Sequence, residues 1–315
     1  MSGSRPVLRI GTRGSALALA QSEVVAAALV AAHSGLEIAT EKVVTGGDKD
    51  LDRPLSAIGG KGVFTKELDD ALLEGRIDAA VHSLKDVPTE LPEGLVIGAI
   101  GHRGNPFDVL LTLDGRILDE LEAGDTVGTS SLRRKAQLLL YNPDLNVVDI
   151  RGNLETRWKK LEAGQVDALC LAAAGLERLG WQDRVSEILT QEIMVPAVGQ
   201  GFLAVVVRAD DAKTLKLVEA YEDAPARVAA ECERGFLEAL AGGCQVPAGA
   251  LAQAVGNQVV IEGIIASPDG IHVYRGDHQG RKSSAASIGK RLAVDLLDQG
   301  GDRIVKKVRA ATDGR

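Results

Sequence analysis

Apolar residues in the first 220 positions fall into blocks of two lengths, one typical of strands and the other of helices. Short apolar runs at 7–10, 38–44 and 77–81 predict strands, and longer periodic runs at 15–32 and 64–73 predict helices. Alternation of strands with helices is typical of a mainly parallel sheet covered by helices. The pattern therefore predicts an α/β fold for this part of the chain.

Two short repeats lie within the same region. LEGRIDA at 73–79 resembles LEAGQVDA at 161–168, and both predict a helix end, a glycine stop and an apolar strand. IGTRGS at 10–15 resembles VGTSS at 127–131, and both predict a strand followed by a serine-capped helix. Because the two pairs occur in the same order, they predict two α/β domains of similar plan.

The pattern changes after residue 220. Residues 224–240 predict one long helix, and 287–299 predict another. Between them, strand-like runs at 259–266 and 271–276 are joined by Ser-Pro-Asp-Gly, a turn sequence. We expect a small α+β third domain, with the loop 242–247 between its first helix and its first strand.

Composition excludes several classes of protein. The chain has 315 residues, enough for two or three domains. Its 3% aromatic content and net charge of −8 argue against a nucleic-acid binder. No apolar run reaches the length of a membrane span, and the N-terminus has no apolar signal core. The three cysteines fit neither a disulfide framework nor a zinc site, so we expect a cytoplasmic protein with reduced thiols and no metal.

Arginines follow the predicted strand ends. Open α/β sheets bind ligands at the carboxyl ends of their strands, and a guanidinium group suits a carboxylate or a phosphate. A single surface arginine is usually only solvated, but six at equivalent places predict a cleft for a polyanion. The six are Arg13, Arg133, Arg134, Arg151, Arg157 and Arg178. Neither a dinucleotide-binding nor a Walker A pattern is present, which argues against a nucleotide ligand.

Polar residues also follow the strand at 77–81. Asp86, beside Lys85, is a candidate general acid/base or cation stabiliser, although a loop aspartate before Pro88 can simply cap a turn. His82 fits a packed or hydrogen-bonded strand residue better than a base, on the face opposite Ser83. The glycine-rich stretch around Lys61 fits an anion cradle, a mobile flap or an ordinary loop.

Cys244 lies in the loop sequence GGCQVP, where glycines and a proline oppose helix formation. A thiol in such a loop indicates covalent chemistry, or else a cysteine that happens to fall in a turn, and both interpretations stay open on pattern alone. Cys170, in a predicted strand, and Cys232, in a predicted helix, are expected to be structural.

The motifs together resemble the porphobilinogen deaminase family. They are GTRGSALALAQ, GGKGVFTKEL, VHSLKDVP, VGTSSLRRKAQL, RGNLETR, LAAAGLERLG, PAVGQG and GGCQVP, in family order over nearly the whole chain. The resemblance implies two α/β domains like the lobes of type II periplasmic binding proteins, plus a small C-terminal α+β domain. Domain 1 is expected at 1–101 and 202–220, domain 2 at 106–198, and domain 3 at 222–315.

The resemblance also implies a reaction. Four porphobilinogen molecules are joined head to tail with loss of ammonia, and hydrolysis releases linear hydroxymethylbilane for tetrapyrrole biosynthesis. The family's dipyrromethane cofactor is the primer, which the resemblance attaches by a thioether to Cys244. A cytoplasmic monomer that hands its product to uroporphyrinogen III synthase is expected, without nucleic acid or membrane. Domain movement and sliding of the growing chain both remain open as ways to accommodate elongation.

Site residues follow from the same motifs. Asp86 matches the catalytic aspartate, which stabilises the cation left by departing ammonia and assists proton removal. The cofactor is expected to be held by Ser83, Lys85, Thr129, Ser130, Ser131, Arg133, Arg134, Arg151 and Gln200. The substrate and the growing chain are expected to contact Arg13, Ser15, Gln21, Arg151, Arg157 and Arg178. Lys61 falls on the flexible flap.

The chain departs from the family pattern at Phe107, where many members have arginine, so a ligand role for that position is not expected. A second class of function uses the same two-lobed fold, namely a non-catalytic binding module for a small anion. The presence of Cys244 and Asp86 favours the enzyme.

Overall fold

The computed structural model describes residues 7–46, 65–240 and 246–313. The chain forms two compact units, one of Met1–Arg103 with Phe202–Arg227 and the other of Gly104–Gly201 with Val228–Arg315. Within the described ranges, no helix is both long enough and apolar enough to cross a membrane.

Strands and helices appear in the following order in the described residues. The strands are β1 (Val7–Thr12), β2 (Glu37–Lys42), β3 (Ala79–Ser83), β4 (Leu95–Ile100), β5 (Asp108–Thr112), β6 (Thr126–Gly128), β7 (Asn146–Val148), β8 (Ala168–Ala172), β9 (Glu187–Leu189), β10 (Leu203–Arg208), β11 (Ala248–Val255), β12 (Gln258–Ala266) and β13 (Val273–Arg281). The α-helices are α1 (Ala16–Ala32), α2 (Lys66–Leu73), α3 (Leu132–Tyr141), α4 (Leu154–Glu162), α5 (Ala173–Arg178), α6 (Ala212–Val218), α7 (Ala224–Ala239), α8 (Ala285–Leu296) and α9 (Asp302–Asp313).

The first unit contains a five-stranded sheet in the order β2-β1-β3-β10-β4. β1 runs parallel to β2 and β3, whereas β10 runs antiparallel to β3 and β4. The sheet is thus mainly parallel, as predicted, with β10 as its antiparallel strand. Side chains alternate across β3, so Val81 packs in the cluster that contains α1, and Ala80 packs in the cluster with α2.

The second unit contains a sheet of the same plan in the order β7-β6-β8-β5-β9. β6 is parallel to β7 and β8, and β5 is antiparallel to β8 and β9. The sequence repeats fall at matching places: Gly75 (φ 69°) and Gly164 (φ 66°) each follow a helix end. Asp78 accepts the backbone N–H of Arg9, and Asp167 accepts that of Thr126. Two α/β domains of similar plan are thus confirmed.

The second unit also contains an antiparallel sheet, β11-β12-β13, with α7, α8 and α9. The α+β character is confirmed, but the sequence pattern missed β11 and α9 and began β13 too early. β11 is rich in alanine and glycine, which have low strand propensity. The helix predicted at 287–299 ends at Leu296, and a wide helical turn through Gly300 (φ 126°) leads into α9.

Hydrogen bonds from backbone and side-chain groups connect this sheet to segment 195–200 of the same unit. The Ala250 N–H donates to the Pro196 carbonyl oxygen at 3.0 Å. Glu233 on α7 is fully buried and accepts the N–H groups of Gly199 at 2.6 Å and Ala252 at 2.8 Å. Gly249 leaves no room for a side chain, because a Cβ there would lie 2.6 Å from the Pro196 oxygen.

Candidate functional site

The polar residues predicted from the sequence lie where parallel strands end. Parallel strands end at a common edge, and an antiparallel strand brings its first residues to that same edge. In the first unit, Ser83 at the end of β3 pairs with Leu203 at the start of β10. In the second unit, Ala172 at the end of β8 pairs with Asp108 at the start of β5. Each unit therefore presents its own set of predicted site residues.

In the first unit, the turn between β1 and α1 is fixed by hydroxyl groups. Ser15 Oγ caps α1 by accepting the N–H of Ala18 at 3.3 Å, and Thr12 Oγ1 donates to the Ala18 carbonyl at 3.0 Å. Arg13 lies half-buried in this turn, just before the helix begins. A helix start offers free N–H groups, so an anion near Arg13 would meet favourable charge from both sources.

Gln21 and Ser83, both predicted site residues, contact each other. Gln21 is 5% exposed, and its Nε2 donates to Ser83 Oγ at 2.8 Å. The contact joins α1 to the end of β3. Because Ser83 still has a proton to donate, it can serve a ligand while Gln21 holds it in place.

Asp86 combines a fixed backbone with an exposed carboxylate. It ends a short 3₁₀ helix, Leu84–Asp86, whose Leu84 side chain is buried. The Leu84 N–H donates to the Phe202 carbonyl at 3.0 Å, and the Val87 N–H donates back to the Leu84 carbonyl at 3.1 Å. The exposed side chain of Asp86 is thus presented from an anchored turn.

His82 is a packed strand residue, as the pattern predicted. It is 5% exposed, and burial together with the charge of Arg13 lowers its pKa to about 4, so it is neutral near pH 7. Among the described residues, its Nε2 has no hydrogen-bond partner. The imidazole therefore does not act as a cation beside the arginine.

In the second unit, three consecutive hydroxyl residues lead from β6 into α3. Thr129 is buried, and its Oγ1 accepts the N–H of Ser131 at 3.3 Å. Ser130 Oγ donates to the Ile150 carbonyl at 2.7 Å, and Ser131 Oγ caps α3 by accepting the N–H of Arg134 at 3.4 Å. The cap places Arg133 and Arg134 in the first turn of the helix.

Three predicted cofactor-binding residues converge on Asp108, which is fully buried. Arg133 donates to both carboxylate oxygens, at 2.7 and 3.2 Å, and Arg134 Nε donates to Oδ1 at 2.8 Å. Gln200 Nε2 donates to the same Oδ1 at 3.1 Å. Although burial opposes ionisation, these partners hold the pKa of Asp108 well below its ordinary value. The sequence pattern did not identify Asp108 as a site residue.

Arg151, Arg157 and Arg178 occupy the same edge of the second unit. Burial, together with the positive charges of Arg134 and Arg151, lowers the pKa of Arg157 to about 10. Arg157 Nε donates to the Gly152 carbonyl at 2.8 Å, and Arg178 Nη2 donates to the Gly201 carbonyl at 2.7 Å. Guanidinium groups that repel one another favour an anion among them.

Among the predicted site arginines, two buried guanidinium nitrogens have no hydrogen-bond partner in the part of the chain that the structure describes. They are Arg133 Nε and Arg151 Nη1. An unpaired buried donor is costly, and a ligand carboxylate would satisfy it. The donors therefore fit a cofactor that carries carboxylates, as dipyrromethane does. Within the same described ranges, no group of three or more His, Cys, Asp or Glu side chains is placed to hold a metal ion.

Two predicted residues lie outside the described ranges. They are Lys61 and Cys244, the candidate flap and attachment residues. The described residues that precede and follow the second segment, Leu240 and Val246, are both buried in the second unit.

Comparison with known proteins gives the family. Residues 8–216 match the family model described as porphobilinogen deaminase, dipyromethane cofactor binding domain, and residues 228–298 match the porphobilinogen deaminase C-terminal domain. The porphobilinogen deaminase of Syntrophobacter fumaroxidans is 47% identical over 305 residues, covering 97% of this chain and 99% of its own. That of a Roseiflexus species is 48% identical over 297 residues, covering 94% and 98%.

Among solved structures, the periplasmic VFT2 domain of BvgS from Bordetella pertussis is similar with a TM-score of 0.41 and 14% identity. The similarity covers 69% of this chain and 87% of that chain. The fold assignment rests on the strand topology of each unit.

Proposed function

The chain belongs to the porphobilinogen deaminase family, and from this premise we propose how its residues divide the work of the family's reaction. The enzyme is a transferase, a hydroxymethylbilane synthase. It joins four porphobilinogen molecules head to tail with release of ammonia and yields linear hydroxymethylbilane in tetrapyrrole and haem biosynthesis. Its cofactor is dipyrromethane.

The arginine cluster of the second unit is the observation that carries the assignment of residues. Every pyrrole ring added to the chain brings one acetate and one propionate, so the product becomes a polyanion. Mutually repelling guanidinium groups around Arg157, together with the unpaired nitrogens of Arg133 and Arg151, supply the matching positive charge. We assign Arg151, Arg157 and Arg178, with Arg13, Ser15 and Gln21 of the first unit, to the substrate and the growing chain.

Asp86 is assigned the chemical step. When ammonia leaves the aminomethyl group of porphobilinogen, a cation forms on the substrate, and an exposed carboxylate on an anchored turn stabilises it. After the new bond forms, the same carboxylate accepts the proton lost from the substituted ring carbon. Lys85 and Ser83, one and three positions before Asp86, are assigned to hold the cofactor.

Cys244 is assigned as the attachment point of the cofactor through a thioether. When bound, dipyrromethane supplies the ring carbon to which the first substrate is joined. Its carboxylates would be held by Ser83, Lys85, Arg133, Arg134, Arg151 and Gln200 and by the hydroxyls of Thr129, Ser130 and Ser131. The buried Cys170 and Cys232 have pKa values raised to about 12, mainly by burial, which leaves them unreactive thiols.

We further propose a cytoplasmic monomer that passes its product to uroporphyrinogen III synthase. The proposal divides the chain into domains at 1–101 with 202–220, 106–198 and 222–315. Lys61 is proposed to lie on a flap over the substrate. Both domain movement and sliding of the growing chain are compatible with the assignment.

Intact-protein mass spectrometry tests the assignment directly. We expect the purified enzyme to carry an adduct of two pyrrole units, and Cys244→Ala to lack both the adduct and turnover. Cys232→Ala is the matched control and should keep both, because that thiol is buried away from solvent. An active protein without the adduct would refute the cofactor assignment, and a stable, inactive, unmodified protein would favour the anion-binding module.

A further inference from the structure

We propose that Asp108 is a positioning residue for the cofactor, an inference that rests on the function proposed above. A single buried carboxylate fixes Arg133, Arg134 and Gln200, three residues assigned to the cofactor, in one hydrogen-bonded cluster. Asp108 acts through these side chains and is not assigned a contact with the cofactor. Together these four residues form the Asp108 cluster.

Strand direction explains why Asp108 reaches the site. β5 is antiparallel to β8, so its first residue lies beside Ala172, at the edge where β8 ends and the site residues gather. Asp108 also pairs with Leu189 of β9, which leaves its backbone held on both sides. A residue placed within a sheet in this way has little freedom to move, and its carboxylate is 0% exposed. The strand thus provides a rigid base for the two arginines.

Charge balance in the Asp108 cluster favours a ligand anion. Two guanidinium groups share one carboxylate, so the cluster keeps a net positive charge after the internal pairing is counted. Much of the hydrogen-bonding capacity of both arginines is used within the protein, since Arg133 also donates to the Val195 carbonyl and Arg134 to the Cys170 carbonyl. Arg133 Nε is left buried without a partner in the described residues. The cluster therefore offers positive charge in fixed directions.

The cluster also connects the two parts of the second unit that bear on the cofactor. Gln200 Nε2 donates to the Pro106 carbonyl as well as to Asp108, and the neighbouring Gly199 N–H is held by Glu233 of α7. α7 ends at Ala239, five positions before Cys244 in the sequence. Loss of the Asp108 carboxylate would release Gln200 and both arginines together, and we expect the cofactor to lose its defined position.

The test compares Asp108→Asn with Asp125→Asn in the full-length enzyme. Asp125 is a control of the same chemistry, because it lies in the same unit and accepts from Arg116 Nη1 at 2.6 Å. Intact mass gives the fraction of molecules that carry the adduct, and steady-state kinetics per loaded molecule separate kcat from KM. Fluorescence of Trp158 and Trp181, the two tryptophans of the chain, reports folding of the second unit.

We expect folded Asp108→Asn to show a reduced adduct fraction and a kcat about 100-fold lower per loaded molecule, because misplaced reacting groups cost about that much. KM should stay within about threefold, since substrate contacts are assigned to other residues. Asp125→Asn should match the unsubstituted enzyme. A folded Asp108→Asn protein with normal loading and kcat would overturn the proposal.

If Asp108→Asn does not fold, the double variant Asp108→Asn with Gln200→Glu tests the positioning role instead. It moves the carboxylate to the adjacent side chain, now 3.1 Å away, and keeps the charge of the cluster. Folding with a low adduct fraction supports a positioning role, and normal loading with normal kcat would overturn it, because the charge of the cluster alone would then suffice. Absence of adduct and turnover in the unsubstituted enzyme would count against the proposed function, not against Asp108.

Discussion

A carboxylate can be placed for chemistry or for structure, and exposure separates the two cases in this protein. Asp86 is exposed at the end of an anchored turn, whereas Asp108 is fully buried among arginines. The first can reach a reacting group, and the second can only orient its neighbours. The two aspartates therefore receive different roles.

Substitution of Asp86 should abolish the chemical step. We expect Asp86→Glu to keep part of the activity, because it retains a carboxylate, and Asp86→Ala or Asp86→Asn to lose about 10²–10⁴-fold in kcat. The measurement is turnover per adduct-bearing molecule. Asp70→Asn, which removes an exposed carboxylate of the same unit, is the control and should leave kcat unchanged. Near-normal turnover by Asp86→Ala would remove Asp86 from the mechanism.

Asp69, on α2, gives a prediction about stability and pH. It is 4% exposed, and burial raises its pKa from 3.8 to about 6. The folded state thus holds a proton that the unfolded state releases between about pH 4 and 6, so stability falls as the pH rises through that window. We expect Asp69→Asn to be more stable than the unsubstituted protein by about 1–3 kcal/mol near pH 7.5.

Urea unfolding at two pH values measures this difference. Near pH 4, where Asp69 is largely protonated in the folded protein, the advantage of Asp69→Asn should nearly vanish. Glu93→Gln, at an exposed position of the same unit, should change stability little at either pH. An equal gain for Asp69→Asn at both pH values would show that ionisation is not the cause.

At the scale of elements, β11 can pack against segment 195–200 because residue 249 is a glycine and has no side chain. A Cβ at Gly249 would lie 2.6 and 2.7 Å from the carbonyl oxygens of Pro196 and Val195, which are backbone atoms and cannot turn aside. We expect Gly249→Ala to lower the free energy of unfolding by about 1–3 kcal/mol, the usual cost of overpacking.

Gly276→Ala is the matched control in the same sheet. A Cβ there would meet its nearest neighbour, Leu296 Cδ2, at 3.4 Å, an ordinary contact. Denaturant unfolding of both variants measures the difference. Equal stability of the two variants would show that β11 can move away from segment 195–200 without cost.

Sequence periodicity predicted these elements unevenly. The runs that became β3 and β8 were identified because their apolar residues pack into clusters on both faces of a sheet. β11 was missed, since AGALAQAV has few of the branched residues that mark a strand. The antiparallel direction of β5 and β10 could not be predicted either. Periodicity shows which residues face inward, but it does not show which strands become neighbours.

Because periodicity does not show which strands become neighbours, the sequence revealed only part of the candidate site. Arginines and hydroxyl residues after strand ends were visible because parallel strands end at a common edge. Asp108 begins a strand, and only the antiparallel course of β5 brings it to that edge. Glu233 lies within a long helix, and its role as acceptor for two distant backbone N–H groups has no sequence pattern. Asp108 and Glu233 were therefore not identified from the sequence, because only the path of the chain in the fold brings them to their partners.

At the scale of the whole molecule, a net charge of −8 coexists with an arginine cluster that we propose binds a polyanion. The two are compatible because electrostatic interactions between exposed charges are screened beyond about 10 Å, whereas the half-buried arginines act at contact distance. Overall charge therefore excluded nucleic-acid binding as a general property without bearing on the local site. The charge assigned to substrate binding is that of a few arginines at the strand ends of each unit.

The central position of β10 has a consequence for how the polypeptide is made. β10 lies between β3 and β4, yet it follows them in the chain by about 100 residues. At a synthesis rate of about 5–20 residues per second, the ribosome needs roughly 5–20 s to deliver it. During that interval β3 and β4 have no strand between them and expose the edges through which chains aggregate. The sheet of the first unit is therefore complete only after residue 208 has been synthesised.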